Sequence, residues 1–237
     1  MNSMNLETDF SQFSTCDISD GLLNKYGLAE GGFLPNLTRW SGSESITNFG
    51  RAFTVLFAPK EDPRPEVNYI DEIPSGSCLT IALTLPLQLE CAPFVRIPQA
   101  LYGGLMTTRA NYLRAAFTVV FGRIRDLEEH RALNYPTFSY GLGTCAAKMA
   151  VKPVEVNVPL SIITGEGQIQ MIHPGDYMIG DAHGIVRIPM QDVLVQDLVE
   201  YVRKSKEVDE LVAQDIRDGK PAKASQKARR AVLASFV

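Results

Sequence analysis

A glycine pair and an arginine–aspartate pair are the residues of this sequence whose types and spacing best suit chemistry. Gly103 and Gly104 stand before a helical segment, and Arg125 and Asp126 follow the apolar run FTVVFG. In a strand–helix–strand crossover, the helix begins near the carboxyl end of the first strand, and the second strand returns to the same edge of the sheet. We therefore expect Gly104 to lie beside Arg125 and Asp126.

The chemistry expected at this meeting point is the binding of an anion next to a cation. A helix over 105–116 and a strand over 117–122 each span roughly 18 to 20 Å, so the two segments can return the chain to the glycines. The helix N-terminus would offer the free amides of Leu105 and Met106. These amides and the Arg125 guanidinium suit a carboxylate ligand, whereas the Asp126 carboxylate suits a hard cation.

The same residues also have structural interpretations. Asp126 and Glu129 have the spacing of a capping box, and local sequence alone favours a helix cap over a metal ligand for Asp126. Gly103 and Gly104 could equally permit a tight turn between two helices. Both alternatives remain open at the level of sequence.

Other polar residues are assigned structural roles. We expect Asp17 and Asp20 to cap a helix or bond a neighbouring loop, and we expect Cys16 to be a small buried residue. Turn or surface roles are expected for the three histidines, which show no ligand-type spacing: His130, His173 and His183.

The elements that must position these residues follow from hydrophobic period and turn residues. A helix should begin after a cap at Ser14 or Thr15 and stop at Gly27. Strands are predicted over 51–59, 78–85 and 117–122. Because two adjacent glycines disfavour a helix interior, the segment 96–116 is divided into a helix ending near Tyr102 and a second helix from about Leu105. A further helix opens in RIRDLEEHRAL.

Beyond Pro136 the composition favours β structure, with strands predicted over 150–163, 167–172, 177–181 and 184–189. Apolar residues then recur at helical spacing over 190–219, before a basic tail. We predict a mixed α/β fold, in one domain over 1–237, with a core over about 13–190 and C-terminal helices and tail over 191–237. The terminal apolar stripe is expected to pack on a neighbouring subunit.

Composition excludes several classes of protein. The chain has 237 residues, of which 45% are hydrophobic and 21% charged, which is typical of a globular domain. A net charge of −4 argues against a nucleic-acid partner. Four cysteines without metal or redox spacing suit a reducing compartment. With no leader pattern and no uncharged stretch of ~18 residues, the expected location is the cytoplasm, away from any membrane.

The glycine-to-acid spacing is also the basis of a family resemblance. The run YGGLMTTRANYL to VVFGRIRDLEEH resembles the signature of the RraA-like and 4-hydroxy-4-methyl-2-oxoglutarate aldolase family: a glycine, twenty residues, Arg-Asp, two residues and an acid. These positions are Gly104, Arg125, Asp126 and Glu129 here. STCDISDGL and PGDYMIGDAHGIVRIP are also similar, so the resemblance extends over about 13–219 and is strongest to fungal members.

The resemblance implies a swivelling-type α/β fold and trimers with active sites between subunits. It also implies Mg²⁺ or Mn²⁺ acting on an α-keto acid, with Asp126 holding the metal largely through water. Arg125 would bind the keto oxygen and the developing enolate, and Glu129 would support these groups from behind. Glu210, nine residues before Gly219, matches loosely an acid that reaches a neighbouring site. The substrate carboxylate would be held by the segment Gly103, Gly104, Leu105 and Met106.

Residue chemistry and resemblance together predict a metal-dependent lyase that cleaves the C3–C4 bond of a 2-oxo diacid and releases pyruvate. The expected substrates are 4-hydroxy-4-methyl-2-oxoglutarate, by retro-aldol cleavage, and oxaloacetate, by decarboxylation. A single carboxylate with waters suits Mg²⁺ or Mn²⁺ better than Zn²⁺. The expected assembly is a trimer or hexamer. The alternative is a non-enzymatic regulator, because bacterial relatives of the fold inhibit a ribonuclease complex by binding it.

Overall fold

The computed structural model describes residues 10–43 and 45–236. Its first half contains α1 (Thr15–Tyr26), β1 (Phe33–Leu34), β2 (Thr38–Ser41), β3 (Asn48–Pro59), β4 (Ser77–Leu83), β5 (Ala100–Tyr102), α2 (Gly104–Tyr112), β6 (Phe117–Ile124) and α3 (Leu127–Ala132). Its second half contains β7 (Thr137–Leu142), β8 (Val151–Val156), β9 (Leu160–Gly165), β10 (Gln168–Ile172), β11 (Tyr177–Asp181), β12 (Gly184–Ile188), α4 (Val195–Arg217) and α5 (Ala222–Arg230).

A ten-stranded mixed sheet organises the molecule. Its main path runs β1-β12-β11-β3-β4-β6-β7-β2, with β5 beside β6 and β8 beside β3. The neighbours β3, β4, β6 and β7 are parallel, and antiparallel strands flank them. Every residue of β4 is buried, as expected for a parallel strand covered on both faces. The predicted mixed α/β fold is confirmed.

The first helix shows how local sequence determines an element. Ser14 is the N-cap, and it exchanges hydrogen bonds with Asp17: the Ser14 amide donates to the carboxylate and the Asp17 amide donates to the hydroxyl. Gly27 ends the helix in the left-handed conformation, with φ of 68°. These caps confirm the predicted boundaries. The prediction of a buried Cys16 is wrong, because its side chain lies on the exposed face of α1.

The prediction of a helix ending near Tyr102 is also wrong. Residues Ala100–Tyr102 form β5, which pairs in parallel with β6 at Arg123 and Ile124. Tyr102 is buried in the core beneath this pairing. The strand that β5 pairs with, β6, is distant in sequence, so no local pattern could reveal the pairing. The glycine pair consequently joins a strand to a helix, and the alternative of a helix–helix turn is wrong.

Part of the C-terminal stripe packs within its own chain. Leu198 and Val202 of α4 belong to the same core cluster as Ile18 of α1 and Ile179 of β11. Leu194, Leu211 and Ile216 of the same stripe stay exposed, so its packing on a neighbouring subunit remains a prediction. The basic tail continues as α5, held against α4 because Lys220 and Arg229 donate to the buried carboxylate of Asp215. None of the helices in residues 10–43 and 45–236 is long and apolar enough to cross a membrane.

Candidate functional site

The glycine turn and the Arg125–Asp126 corner meet at the carboxyl ends of β5 and β6, as predicted. The Gly104 amide donates to Oδ2 of Asp126 at 3.2 Å. The same carboxylate oxygen lies 3.5 Å from Nε of Arg125. The crossover therefore places the N-terminus of α2 directly against a guanidinium and a carboxylate.

Glycine is required at both positions of the turn because other groups approach it closely. A Cβ atom on Gly103 would lie 2.7 Å from Oδ2 of Asp126. A Cβ atom on Gly104 would lie 2.7 Å from Cβ of Glu129, well inside van der Waals contact. Glu129 thus packs over Gly104 from α3, behind the corner. A side chain at Gly103 would displace the Asp126 carboxylate, and one at Gly104 would push Glu129 away from α2.

Asp126 does not act as the side-chain cap that its local sequence favours. It stands at the N-cap position of α3, but its backbone is left-handed, with φ of 61° and ψ of 46°, and its side chain makes no capping hydrogen bond. The carboxylate turns instead toward Gly104. A non-glycine residue in this conformation is strained, and such residues concentrate at functional sites. Within the described part of the chain, Oδ1 of Asp126 has no hydrogen-bond donor.

The amides of α2 are not all available to a ligand. The Gly104 amide is engaged by Asp126, and the Met106 amide donates to the carbonyl of Gly103 at 3.1 Å, so the expectation of a free amide at Met106 is wrong. The amide of Leu105 has no acceptor among the residues that the structure describes. One free amide, at Leu105, therefore belongs to a residue that lines the same cavity as Arg125.

A cavity of about 530 Å³ opens over this corner. Five of the residues selected from the sequence line it: Gly103, Leu105, Met106, Arg125 and Asp126. Gly104, Glu129 and Glu210 are not among its lining residues. Glu210 is exposed on α4.

Sequence reasoning missed other residues of the cavity wall. Glu66, Asn68 and Tyr69, from the segment between β3 and β4, line the cavity, as does Lys148, from the turn between β7 and β8. The Lys148 ammonium has no carboxylate partner in the described residues, whereas Glu66 is paired with Lys60 at 3.0 Å. No spacing in the sequence marks Lys148, because it reaches the cavity that Arg125 lines only through the packing of distant segments.

His130 is not the surface residue that the sequence suggested. It is fully buried, and its two ring nitrogens bond Thr107 and the backbone of Arg125. Burial lowers its pKa, which keeps the imidazole neutral at pH 7. His183, in contrast, lies exposed in the turn between β11 and β12, as expected.

A metal ion at this site would depend on one carboxylate. The described residues contain no group of three or more histidine, cysteine, aspartate or glutamate side chains suited to a metal ion. The free oxygen of Asp126 at the cavity fits a hard cation that keeps most of its waters, as Mg²⁺ does. The donor chemistry does not suit Zn²⁺, which normally takes nitrogen or sulfur ligands.

Fold and corner together define a mixed α/β protein in which a helix N-terminus, a guanidinium and a carboxylate meet at the carboxyl ends of parallel strands. The family model described as RraA-like (Aldolase/RraA) matches residues 15–187, which include the whole corner. The chain belongs to this RraA-like family.

Curated relatives agree with the family but match only in part. The chain is 31% identical over 191 residues to the protein DlpA of Legionella pneumophila, covering 78% of this chain and 28% of DlpA. It is 33% identical over 120 residues to a protein of Halalkalibacterium halodurans named as a putative 4-hydroxy-4-methyl-2-oxoglutarate aldolase, covering 51% of this chain and 53% of that protein. The chain thus spans about half or less of the length of these relatives.

Solved structures share the fold over most of the chain. An uncharacterized protein from Pseudomonas syringae pv. tomato superposes with a TM-score of 0.73 at 27% identity, covering 94% of this chain and 98% of that one. A Streptomyces coelicolor protein, described as an unusual member of the RNase ES inhibitor RraA protein family, superposes with a TM-score of 0.65 at 20% identity, covering 88% and 95%. The second likeness concerns the fold alone.

Proposed function

We propose that this protein is a cytoplasmic, divalent-metal-dependent lyase that cleaves the C3–C4 bond of 2-oxo diacids and releases pyruvate. The substrates are 4-hydroxy-4-methyl-2-oxoglutarate, by retro-aldol cleavage, and oxaloacetate, by decarboxylation. One observation carries the proposal: a free oxygen of Asp126, the guanidinium of Arg125 and the unpaired amide of Leu105 share the edge of one cavity.

The cavity supplies a donor for each end of a diacid. The Leu105 amide and the positive end of the α2 dipole bind the 1-carboxylate next to the 2-oxo group. Lys148, which also lines the cavity and has no carboxylate partner among the described residues, binds the distal carboxylate of the longer substrate. Two cationic side chains, Arg125 and Lys148, thus match the two negative charges of the substrate.

Asp126 would hold the cation, Mg²⁺ or Mn²⁺, largely through water, and Oδ1 is available for this because Oδ2 accepts from the Gly104 amide. When bound, the cation supplies an electron sink that lowers the barrier to carbon–carbon cleavage. Glu129 keeps α3 packed against Gly104 and so maintains the distance between Asp126 and α2. The Asp126 carboxylate can therefore bind the cation while it stays in place beside α2.

Arg125 stabilises the charge that cleavage creates. Breaking the C3–C4 bond leaves an electron pair that delocalises onto the 2-oxo oxygen, and protonation at C3 then yields pyruvate. The terminal nitrogens of Arg125 have no acceptor in the described part of the molecule, so they are available to donate to that oxygen. A preorganised donor of this kind needs no reorganisation as the enolate forms.

The direct test measures pyruvate release from both substrates with Mg²⁺ or Mn²⁺, and again after addition of EDTA. The metal-only rate without protein is subtracted, because free cations also decarboxylate oxaloacetate. We expect release above this background that EDTA abolishes. Absence of release with both substrates would overturn the lyase proposal in favour of a protein-binding regulator.

We also propose that the active assembly is a homotrimer or a pair of trimers, with Glu210 of a neighbouring subunit as the general base of retro-aldol cleavage. Glu210 does not line the cavity of its own chain, so it can act only from another subunit. Decarboxylation needs no base, whereas loss of the C4 hydroxyl proton does. Glu210→Gln should therefore slow aldol cleavage and spare decarboxylation.

Light scattering tests the assembly independently of activity. The expected mass is three or six times that of the 26.1 kDa chain. A single-chain mass at micromolar concentration would contradict both the oligomer and the role of Glu210.

A further inference from the structure

A buried imidazole connects the two halves of the candidate site. His130 of α3 lies between α2 and the Arg125–Asp126 corner, and its side chain is completely buried. Its Nδ1 atom is 2.6 Å from Oγ1 of Thr107, on the helix that offers the Leu105 amide. Its Nε2 atom is 2.8 Å from the carbonyl oxygen of Arg125.

The partners of His130 determine its tautomer. The Arg125 carbonyl can only accept a hydrogen bond, so Nε2 carries the proton and donates it. The neutral ring then accepts at Nδ1, and the hydroxyl of Thr107 is the donor. Both ring nitrogens are satisfied, which a buried imidazole requires. The ring also stacks on Tyr102, with centroids 5.8 Å apart and planes at 20°.

Hydrogen bonds consequently fix both the amide and the carbonyl of Arg125. Its amide donates to the carbonyl of Tyr102 at 3.0 Å, and its own carbonyl accepts from His130. This carbonyl belongs to the peptide that leads into the left-handed Asp126. Rotation of that peptide would move both the guanidinium and the carboxylate, so the imidazole stabilises a backbone conformation that is strained on its own.

We propose that His130 is a positioning residue that, through Thr107 and the Arg125 carbonyl, sets the relative placement of α2 and the Arg125–Asp126 corner. It touches neither substrate nor metal, and this role rests on the proposed lyase function. The consequence is that Thr107, although it does not line the cavity, controls the turnover rate. No residue spacing in the sequence indicates this role.

The same buried network contains a matched control. Thr118 of β6 is as completely buried as Thr107 and donates to the Tyr102 hydroxyl at 3.3 Å. It also contacts the Tyr135 hydroxyl at 3.1 Å. Loss of the Thr118 hydroxyl leaves both bonds of His130 in place. Threonine-to-valine changes at the two sites therefore remove the same group from the same core, but only one of them disconnects the imidazole.

The experiment compares Thr107→Val, Thr107→Ser and Thr118→Val. We expect Thr107→Val to lower kcat for oxaloacetate about 10- to 100-fold, as when a group that orients a metal ligand is lost. Thr107→Ser should restore kcat, since it keeps the donor. Thr118→Val should retain kcat despite a comparable fall in melting temperature.

Hydrogen exchange of the Gly104 amide provides a readout without turnover, because that amide bonds Asp126. Exchange should accelerate in Thr107→Val and stay unchanged in Thr118→Val. Equal effects of the two variants on kcat and exchange, or no effect of Thr107→Val on either, would overturn the role of His130. If the unmodified protein releases no pyruvate, the lyase proposal fails, and the exchange of Gly104 alone decides whether His130 holds the corner.

Discussion

Asp126→Asn is expected to reduce metal-dependent pyruvate release at least ~100-fold, because the cation contributes several kcal/mol to the transition state and each 1.36 kcal/mol is tenfold in rate. The melting temperature should change little. Asparagine tolerates left-handed backbone, and its carbonyl oxygen can still accept from the Gly104 amide. The measurement is the rate with saturating Mg²⁺ or Mn²⁺, beside thermal melts followed by circular dichroism.

Asparagine is a better probe here than alanine. Asp126→Ala should also abolish activity, but a left-handed alanine costs roughly 1 to 2 kcal/mol in the folded state and leaves the Gly104 amide without its acceptor. Its loss of activity would therefore be mixed with a loss of stability. The two variants together separate the charge of Asp126 from its structural contribution.

Glu128→Gln is the matched control for Asp126→Asn. Glu128 lies two residues further along α3 and is highly exposed, and its partner is Arg131 at 3.3 Å on the surface. The Glu128→Gln substitution removes one negative charge from the same helix and does not alter the cavity. Should Asp126→Asn retain full activity, or should Glu128→Gln lose as much, Asp126 is not the residue that holds the cation.

Arg125→Lys is expected to lower kcat for oxaloacetate and for 4-hydroxy-4-methyl-2-oxoglutarate by similar factors, roughly 10² to 10³, the range for loss of one preorganised oxyanion donor. Both reactions pass through the enolate of pyruvate, which Arg125 stabilises. Lysine preserves the charge but not the planar fork, and it cannot keep both the contact beside Asp126 and the donor to the oxygen. The measurement is kcat for both substrates after subtraction of the metal-only rate.

Arg131→Lys provides the corresponding control, since Arg131 is an exposed arginine of α3 that pairs with Glu128 away from the cavity. Its kcat should equal that of the unmodified protein for both substrates. A loss of activity of Arg125→Lys toward only one of the two substrates would contradict this role. If Arg125→Lys impairs aldol cleavage and leaves decarboxylation intact, Arg125 does not act on a shared enolate, and a role in handling the C4 hydroxyl would replace it.

Local sequence determined the elements that local interactions build. The Ser14–Asp17 capping box and Gly27 set both ends of α1, since each cap is completed by residues within one helical turn. The largely apolar run FTVVFG marked the buried strand β6 for a similar reason. The meeting of Gly104 with Asp126 was also predictable, because crossover geometry and element lengths leave little choice.

Tertiary structure decided what depends on distant neighbours. Segment 96–102 has helical character alone, but Ala100–Tyr102 becomes a strand because β6 offers it a parallel edge. Asp126 has the spacing of a cap, yet its left-handed backbone directs the carboxylate to an amide 22 residues away in sequence. His130 looked like a surface residue until Thr107 and Arg125 provided partners for both of its nitrogens.

The same division applies to the site itself. The motif determined which charged residues stand at the corner and that a helix N-terminus faces them, because those properties follow from the residue types and from where the helix begins. It did not determine that the Met106 amide donates to the Gly103 carbonyl, or that Lys148 of another segment lines the same cavity. Those features arise because α2, α3 and the β7–β8 connection pack on one sheet. Such packing depends on contacts between segments that are far apart in sequence, which no short stretch of sequence reveals.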